Sequence, residues 1–128
     1  MIVDTSALVA IMRNEPERDA FLAALAAHNV SMSAVTYFEF GIVTDSARDP
    51  AASAEVDGWI REFDIEVVPV TSDQARLARA AYARFGKGNG SARLNFGDCF
   101  AYALAKTLNQ PLLFKGNDFS RTDIKIAV

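Results

Sequence analysis

Histidine and cysteine are almost absent from this chain, which holds one of each, His28 and Cys99. A single cysteine cannot close an internal disulfide, so a reducing, cytoplasmic setting is expected. A single histidine excludes a His-rich metal centre and argues against Ser-His-Asp or Cys-His catalysis. Basic residues are not in excess: 13 Lys and Arg stand against 16 Asp and Glu, a formal net charge of −3. That balance argues against a general nucleic-acid binder with a broad basic face, though not against an enzyme with an acidic centre. No apolar run approaches the roughly 20 residues of a membrane span. The opening Met1-Ile2-Val3-Asp4 carries neither the basic segment nor the long apolar stretch of a signal peptide. The glycines at 86, 88 and 90 belong to no Walker loop, because no Gly-Lys-Ser or Gly-Lys-Thr occurs.

What is present is apolar and patterned. The chain has 128 residues, 51% of them hydrophobic, which predicts one domain spanning 1–128 with a sizeable core. The rest is organised around Met1 to Val9. A short apolar run ends at Asp4-Thr5-Ser6 and resumes as Ala7-Leu8-Val9, which reads as a buried strand, a tight turn and a helix. Glu15 to His28 reads as a second helix, with Asn14 capping it and Pro16 in its first turn. Asn29 to Ser33 predicts a second strand, and Ser33 can cap a helix from Ala34 to about Ala47. A further helix is expected from Pro50 to Phe63, where Val56, Trp59, Ile60 and Phe63 recur at helical spacing. Ile65 to Val70 is β-branched, and its Pro69 suggests an edge strand or a strand end. Thr71 to Gln74 resembles a capping box for a helix reaching Phe85. After a glycine-rich loop at 87–93, Phe96 to Leu108 predicts a buried helix. Gln110 to Phe114 and Ile124 to Val128 read as fourth and fifth strands. Alternating strands and helices predict an α/β fold with a mainly parallel sheet covered on both faces.

Four acids stand out from the solvated ones. Asp4 lies at the carboxyl end of the first strand, the edge where open α/β sheets bind ligands. It can cap the following helix or hold a cation. Glu39 sits among Val35, Ile42 and Val43 on a helix, an apolar face on which a carboxylate needs an arginine partner or a cation. Asp98, in Asn95-Phe96-Gly97-Asp98, opens a buried helix and suits its dipole. Asp118, in Gly116-Asn117-Asp118, follows the fourth strand with turn chemistry. Each has a structural explanation when taken alone. Taken together, parallel strands bring Asp4 and Asp118 to one edge, and the two helix positions can converge on it. Two carboxylates about 4 Å apart repel by about 1 kcal/mol in bulk water and about 4 at intermediate dielectric. Such a group therefore needs shared protons or a cation. Oxygen ligands without His or thiolate favour a hard ion, Mg²⁺ or Mn²⁺.

The pattern resembles the PIN-domain ribonucleases, and within them the VapC toxins of toxin–antitoxin pairs. It runs through Ile2-Val3-Asp4-Thr5-Ser6-Ala7, then Ser33-Ala34-Val35-Thr36 leading to Glu39. It continues through Asn95 to Ala105 and Pro111 to Phe119. The resemblance implies a three-layer α/β/α sandwich with a five-stranded sheet in the order 3-2-1-4-5. It implies Asp4, Glu39, Asp98 and Asp118 as the acidic quartet around Mg²⁺ or Mn²⁺. It also implies endonucleolytic cleavage of RNA, a homodimer, and inhibition by a cognate VapB-type antitoxin. The chain departs from many relatives at Phe114, where they carry Thr or Ser, and near Gly116, where they carry a second acid.

Other classes fit less well. A receiver domain needs a phosphoacceptor Asp at the end of its third strand, where this chain has Val70-Thr71. A haloacid-dehalogenase-type phosphatase needs two aspartates flanking one residue, and Asp4-Thr5-Ser6 lacks the second. A non-catalytic RNA- or partner-binding module is the remaining alternative. Arg13, Arg84, Lys87, Arg93, Lys115 and Arg121 are the cations available near the acids for RNA, each equally readable as an ordinary solvated charge. Tyr37, Phe38, Phe40 and Trp59 read as core, or in part as a face for a second protein.

Overall fold

The sheet follows from alternation over strands of two or three residues. The computed structural model describes residues 1–46, 48–88 and 92–128. In it β1 (Ile2–Val3) lies parallel to β2 (Ser31–Ser33) and to β4 (Leu112–Leu113), and β3 (Glu66–Val68) pairs parallel with β2. The order is β3-β2-β1-β4. Ile2 registers with Ser31 on one side and Leu112 on the other, and Val3 with Leu113. Successive strand residues point to opposite faces. Ile2 and Leu112 accordingly enter one hydrophobic cluster, while Val3 and Leu113 enter the other. All four are at most 1% exposed.

The helices form the two outer layers. The Val3 face is covered by α1 (Thr5–Met12), α2 (Arg18–Ala27), α3 (Ala34–Ser46) and α4 (Pro50–Glu62), through Leu8, Phe21, Leu25, Phe40 and Val56. The Ile2 face is covered by α5 (Ser72–Phe85) and α6 (Phe96–Leu108), through Ala78, Phe85, Ala101 and Leu104. This is the expected α/β/α sandwich. Side chains start several of the helices. Asp49 and Thr71 accept bonds from the peptide N–H groups of Ala51 and Gln74, and the Ser33 hydroxyl accepts one from Val35. Asn109 ends α6 with φ of 51°, a left-handed conformation that asparagine tolerates, and so turns the chain into β4. His28 follows α2, and its ring lies 2.8 Å from the Ala24 carbonyl through Nδ1, as a helix-end partner. No helix among the described residues is long and apolar enough to cross a membrane.

Three expectations need correction. The sheet has four strands among the described residues, not five in the order 3-2-1-4-5. The closing segment does reach the expected place: Ile126 forms a parallel bridge to Leu112, with Leu112 N–H donating to Lys125 O at 2.8 Å. Only Ile124 of that segment is buried, while Ile126 and Val128 face solvent, so one apolar anchor is too little to extend the ladder. Secondly, α2 begins at Arg18 instead of Glu15. Asn14 adopts φ of 54° in the turn after α1 and does not cap α2. Thirdly, α3 buries Thr36, Phe40 and Thr44, so Tyr37 and Phe38 are exposed and not core, whereas Phe40 stacks on Trp59 with ring centroids 5.7 Å apart.

Candidate active site

Parallel strands put the ends of β1 and β4 side by side, and Asp4 sits where β1 ends. Its peptide N–H donates to Leu113 O at 2.9 Å. Its Oδ2 accepts from the Ser6 N–H at 3.0 Å and from the Ser6 hydroxyl at 2.6 Å, which caps α1. The same hydroxyl accepts the Lys115 N–H at 3.0 Å, tying this turn to the exit of β4. Capping thus accounts for one carboxylate oxygen only. Asp4 is 2% exposed, and its Oδ1 is buried with no hydrogen-bond partner. Burial is the main cause that pushes this carboxyl up to about 6; the Ser6 bonds oppose the shift and the Glu39 charge adds to it.

Asp98 shows the same division of labour. The Asn95 N–H donates to Asp98 Oδ2 at 2.9 Å, and the Asp98 N–H donates to Asn95 Oδ1 at 2.8 Å, a reciprocal capping box. The residue is buried, and burial pushes its carboxyl up to about 7. The Asn95 bond works against the shift, while the charges of Asp4, Asp118 and Glu39 add to it. All three other acids therefore act electrostatically on Asp98.

Glu39 differs from its sequence reading. It is half-buried, and its face of α3 includes Ile42, which is 53% exposed. The Thr5 hydroxyl donates to Glu39 Oε1, where an arginine was one expectation. The carboxylate rests over Gly97, at a point where a Cβ would collide with it. Asp118 is exposed on the loop after β4. Among the described residues no three carboxylate, histidine or cysteine side chains are grouped closely enough to hold a metal ion.

Thr5, Ser6 and Gly97 are the residues that sequence reasoning did not assign. The Thr5 hydroxyl positions Glu39, and Ser6 positions Asp4. Gly97 carried no signal of its own, because its need for a bare Cα depends on a side chain from another helix. Gly97→Ala is expected to swing Glu39 aside at little cost in stability, since the atoms met are the end of a flexible side chain. If Glu39 belongs to the acidic quartet that the resemblance implies, RNA cleavage should fall by about 10- to 100-fold, in the range for loss of a group that orients a metal ligand. A gel assay beside a thermal melt separates the two effects.

The available cations are reduced. Lys115 pairs with Glu15 and, at 3.1 Å, with Glu17. The Arg84 guanidinium lies 4.6 Å above the Phe85 ring. The glycine-rich loop at 87–93 lies partly outside the described residues, at 89–91.

The donor set suits a hard divalent cation. It is all oxygen, it has a buried acceptor with no partner in Asp4 Oδ1, and two of its acids are disfavoured as free anions. A stability signature follows for the protein without divalent cations. Unfolded aspartates ionise near about 3.9. Asp4 and Asp98 keep their protons to about 6 and about 7 when folded. Their contribution to stability is then complete below the unfolded value and is lost as pH rises through the folded values. The melting temperature in EDTA should fall between pH 5 and pH 8 by several degrees on this account, and Asp98→Asn should flatten the fall. Mg²⁺ or Mn²⁺ at 100 times its dissociation constant should return about 2.7 kcal/mol at pH 8.

Comparison with known proteins agrees with this architecture. The PIN domain family model matches residues 1–125. Ribonuclease VapC28 of Mycobacterium tuberculosis is 55% identical over 130 residues, covering 100% of this chain and 98% of the relative. Ribonuclease VapC of Mycolicibacterium smegmatis is 47% identical over 125 residues, covering 97% of each. Among solved structures, Mycobacterium tuberculosis VapC20, described as a sarcin-ricin-loop-cleaving toxin, superposes with a TM-score of 0.79 at 18% identity, over 99% of this chain and 97% of that one. A toxin–antitoxin complex from Klebsiella pneumoniae gives 0.73 at 15% identity, over 95% and 92%. At that identity the superpositions speak for the fold. With the family match across nearly the whole chain and relatives near half identical along their full length, this chain belongs to the PIN-domain family, among the VapC ribonucleases.

Proposed function

We propose that the chain is a metal-dependent endoribonuclease, the toxin of a toxin–antitoxin pair, and that Asp4, Glu39, Asp98 and Asp118 are its catalytic acids. The observation that carries the reading is the buried, unpartnered Oδ1 of Asp4 beside an Asp98 on which three other acids press. Asp4 and Asp98 would hold Mg²⁺ or Mn²⁺ most directly, with Glu39 and Asp118 completing the site. A bound divalent ion supplies Lewis-acid stabilisation of the scissile phosphate and lowers the pKa of the attacking water. The chain's residues do the positioning. Ser6 fixes the Asp4 carboxylate in one rotamer by two hydrogen bonds. Asn95 does the same for Asp98 through the capping box. Thr5 holds Glu39 against α6. Asp118 would join them from the exposed loop after β4.

The VapC relatives support RNA as substrate, and the Klebsiella toxin–antitoxin complex supports a cognate antitoxin of the VapB type as partner. The exposed Phe38 and Ile42 of α3 support a homodimer or antitoxin contact on that helix. A lone buried cysteine is in keeping with a cytoplasmic home. The test is incubation of the protein with structured RNA in EDTA, in Mg²⁺ and in Mn²⁺. Internal cuts that need the ion are expected. Binding with no cuts under any ion condition would replace the enzyme by a non-catalytic binding module.

A further inference from the structure

The first turn of α6 faces two ways. Gly97 and Asp98 meet the acids, while Asn95 and Phe96 line a cleft of about 480 Å³ between α5 and α6. The cleft has an apolar floor at Cys99 and aromatic walls from Tyr82, Phe96 and Phe100, with Arg79 and Lys87 also lining it. Phe96 is 73% exposed although it stands two residues from a buried carboxylate. One side of its ring packs against Phe100, with centroids 5.2 Å apart. The same ring also lines a second cleft beside Glu39, so it forms the ridge between that acid and the α5–α6 cleft. Lys106, Lys115, Arg18 and Arg76 are engaged in ion pairs. Arg79 and Lys87 make none among the described residues.

From this we infer that the α5–α6 cleft seats an unstacked base of the RNA next to the scissile phosphate. Phe96 is the stacking platform, and Arg79 and Lys87 take the flanking phosphates. The inference rests on the proposed function and names a substrate feature of the same site: a single-stranded or flipped-out nucleotide beside the cut. The apolar floor and aromatic walls suit the face of a base. The volume lies within the range of small-ligand pockets. The two unengaged cations at the cleft complement a phosphate backbone and not the apolar face of a second protein copy. Stacking on an aromatic tolerates any base, so this cleft contributes affinity and a demand for unpaired structure more than it reads sequence.

The test uses a single-stranded octaribonucleotide with 2-aminopurine at its centre, in EDTA so that nothing is cut. Stacking on the ring quenches the fluorophore. Phe96→Ala should weaken binding about tenfold and remove the quench, in keeping with the alanine cost of one stacked base. Phe96→Trp should keep both. Arg79→Gln with Lys87→Gln should weaken binding and lower its salt dependence, while the quench at saturation stays. Circular dichroism checks that each variant is folded. Unchanged binding and quench in Phe96→Ala would overturn the inference. So would a loss of dimer in that variant on size-exclusion chromatography with RNA binding intact, which would give the cleft to a second copy. If the parent still cuts structured RNA with Mg²⁺, only the base seat has failed. If the parent neither binds the probe nor cuts, the proposed function has failed as well.

Discussion

Asp98→Asn is expected to lower RNA cleavage by more than about 100-fold while the protein stays folded. Loss of a residue that merely orients a metal ligand costs about 10- to 100-fold, and loss of a direct ligand, the role proposed for Asp98, should exceed that. The fold should survive because the amide keeps an oxygen for the Asn95 N–H, so the capping box that starts α6 remains. Without divalent ions the variant should even melt higher than its parent above pH 7, since the parent must ionise a buried carboxyl pressed by three other acids. Asp4→Asn should behave alike for a related reason. Both Ser6 groups donate, so the new amide must turn its oxygen towards them. Its NH₂ then occupies the position of Oδ1, and the unpartnered acceptor becomes a donor. The measurement is a gel assay in Mg²⁺ beside a thermal melt in EDTA. Full cleavage by either variant removes that residue from the mechanism.

Phe40→Ala should cost about 3–5 kcal/mol, a large share of the 5–15 kcal/mol that holds a domain together. Phe40 is 1% exposed, belongs to the core on the Val3 face of the sheet and stacks on Trp59 of α4. Its removal leaves a cavity walled by a ring and buried aliphatic side chains, which cannot collapse without moving α4. The melting temperature should drop by roughly 15 °C. Phe38→Ala, two residues away, should change it by less than about 0.5 kcal/mol, because that ring is 66% exposed. Equal losses in the two variants would mean that the buried face of α3 is misassigned.

That pair also shows what the sequence could and could not reveal. The run Tyr37-Phe38-Glu39-Phe40 is apolar on nearly every side, so periodicity alone does not say which face turns inward. The answer lies in Thr36, Phe40 and Thr44, two of them polar, which no hydrophobic count selects. Where local chemistry decides, reading from sequence worked: Thr71 caps, Pro50 opens α4, and Phe96 to Leu108 is α6. The fifth strand was legible as a place but not as a length, because strand length depends on what covers it. The four acids could be read as candidates from the residues around them, Asp4 and Asp118 after apolar strands and Glu39 and Asp98 on helices. Their partners could not, because Thr5 meeting Glu39 and Glu39 resting on Gly97 are contacts across 34 residues and more.

The two-residue β1 has a consequence for how this chain can change. Ile2 supplies one core, Val3 the other, and Asp4 the chemistry, in three consecutive positions. A longer strand could take up an added residue as a bulge and keep its faces. Here a residue inserted between Val3 and Asp4 would either turn Ile2 and Val3 to the wrong faces or carry Asp4, together with Ser6, past the end of β4. Protein stability and acid placement are therefore measured off the same short ruler, and neither can be re-spaced without the other.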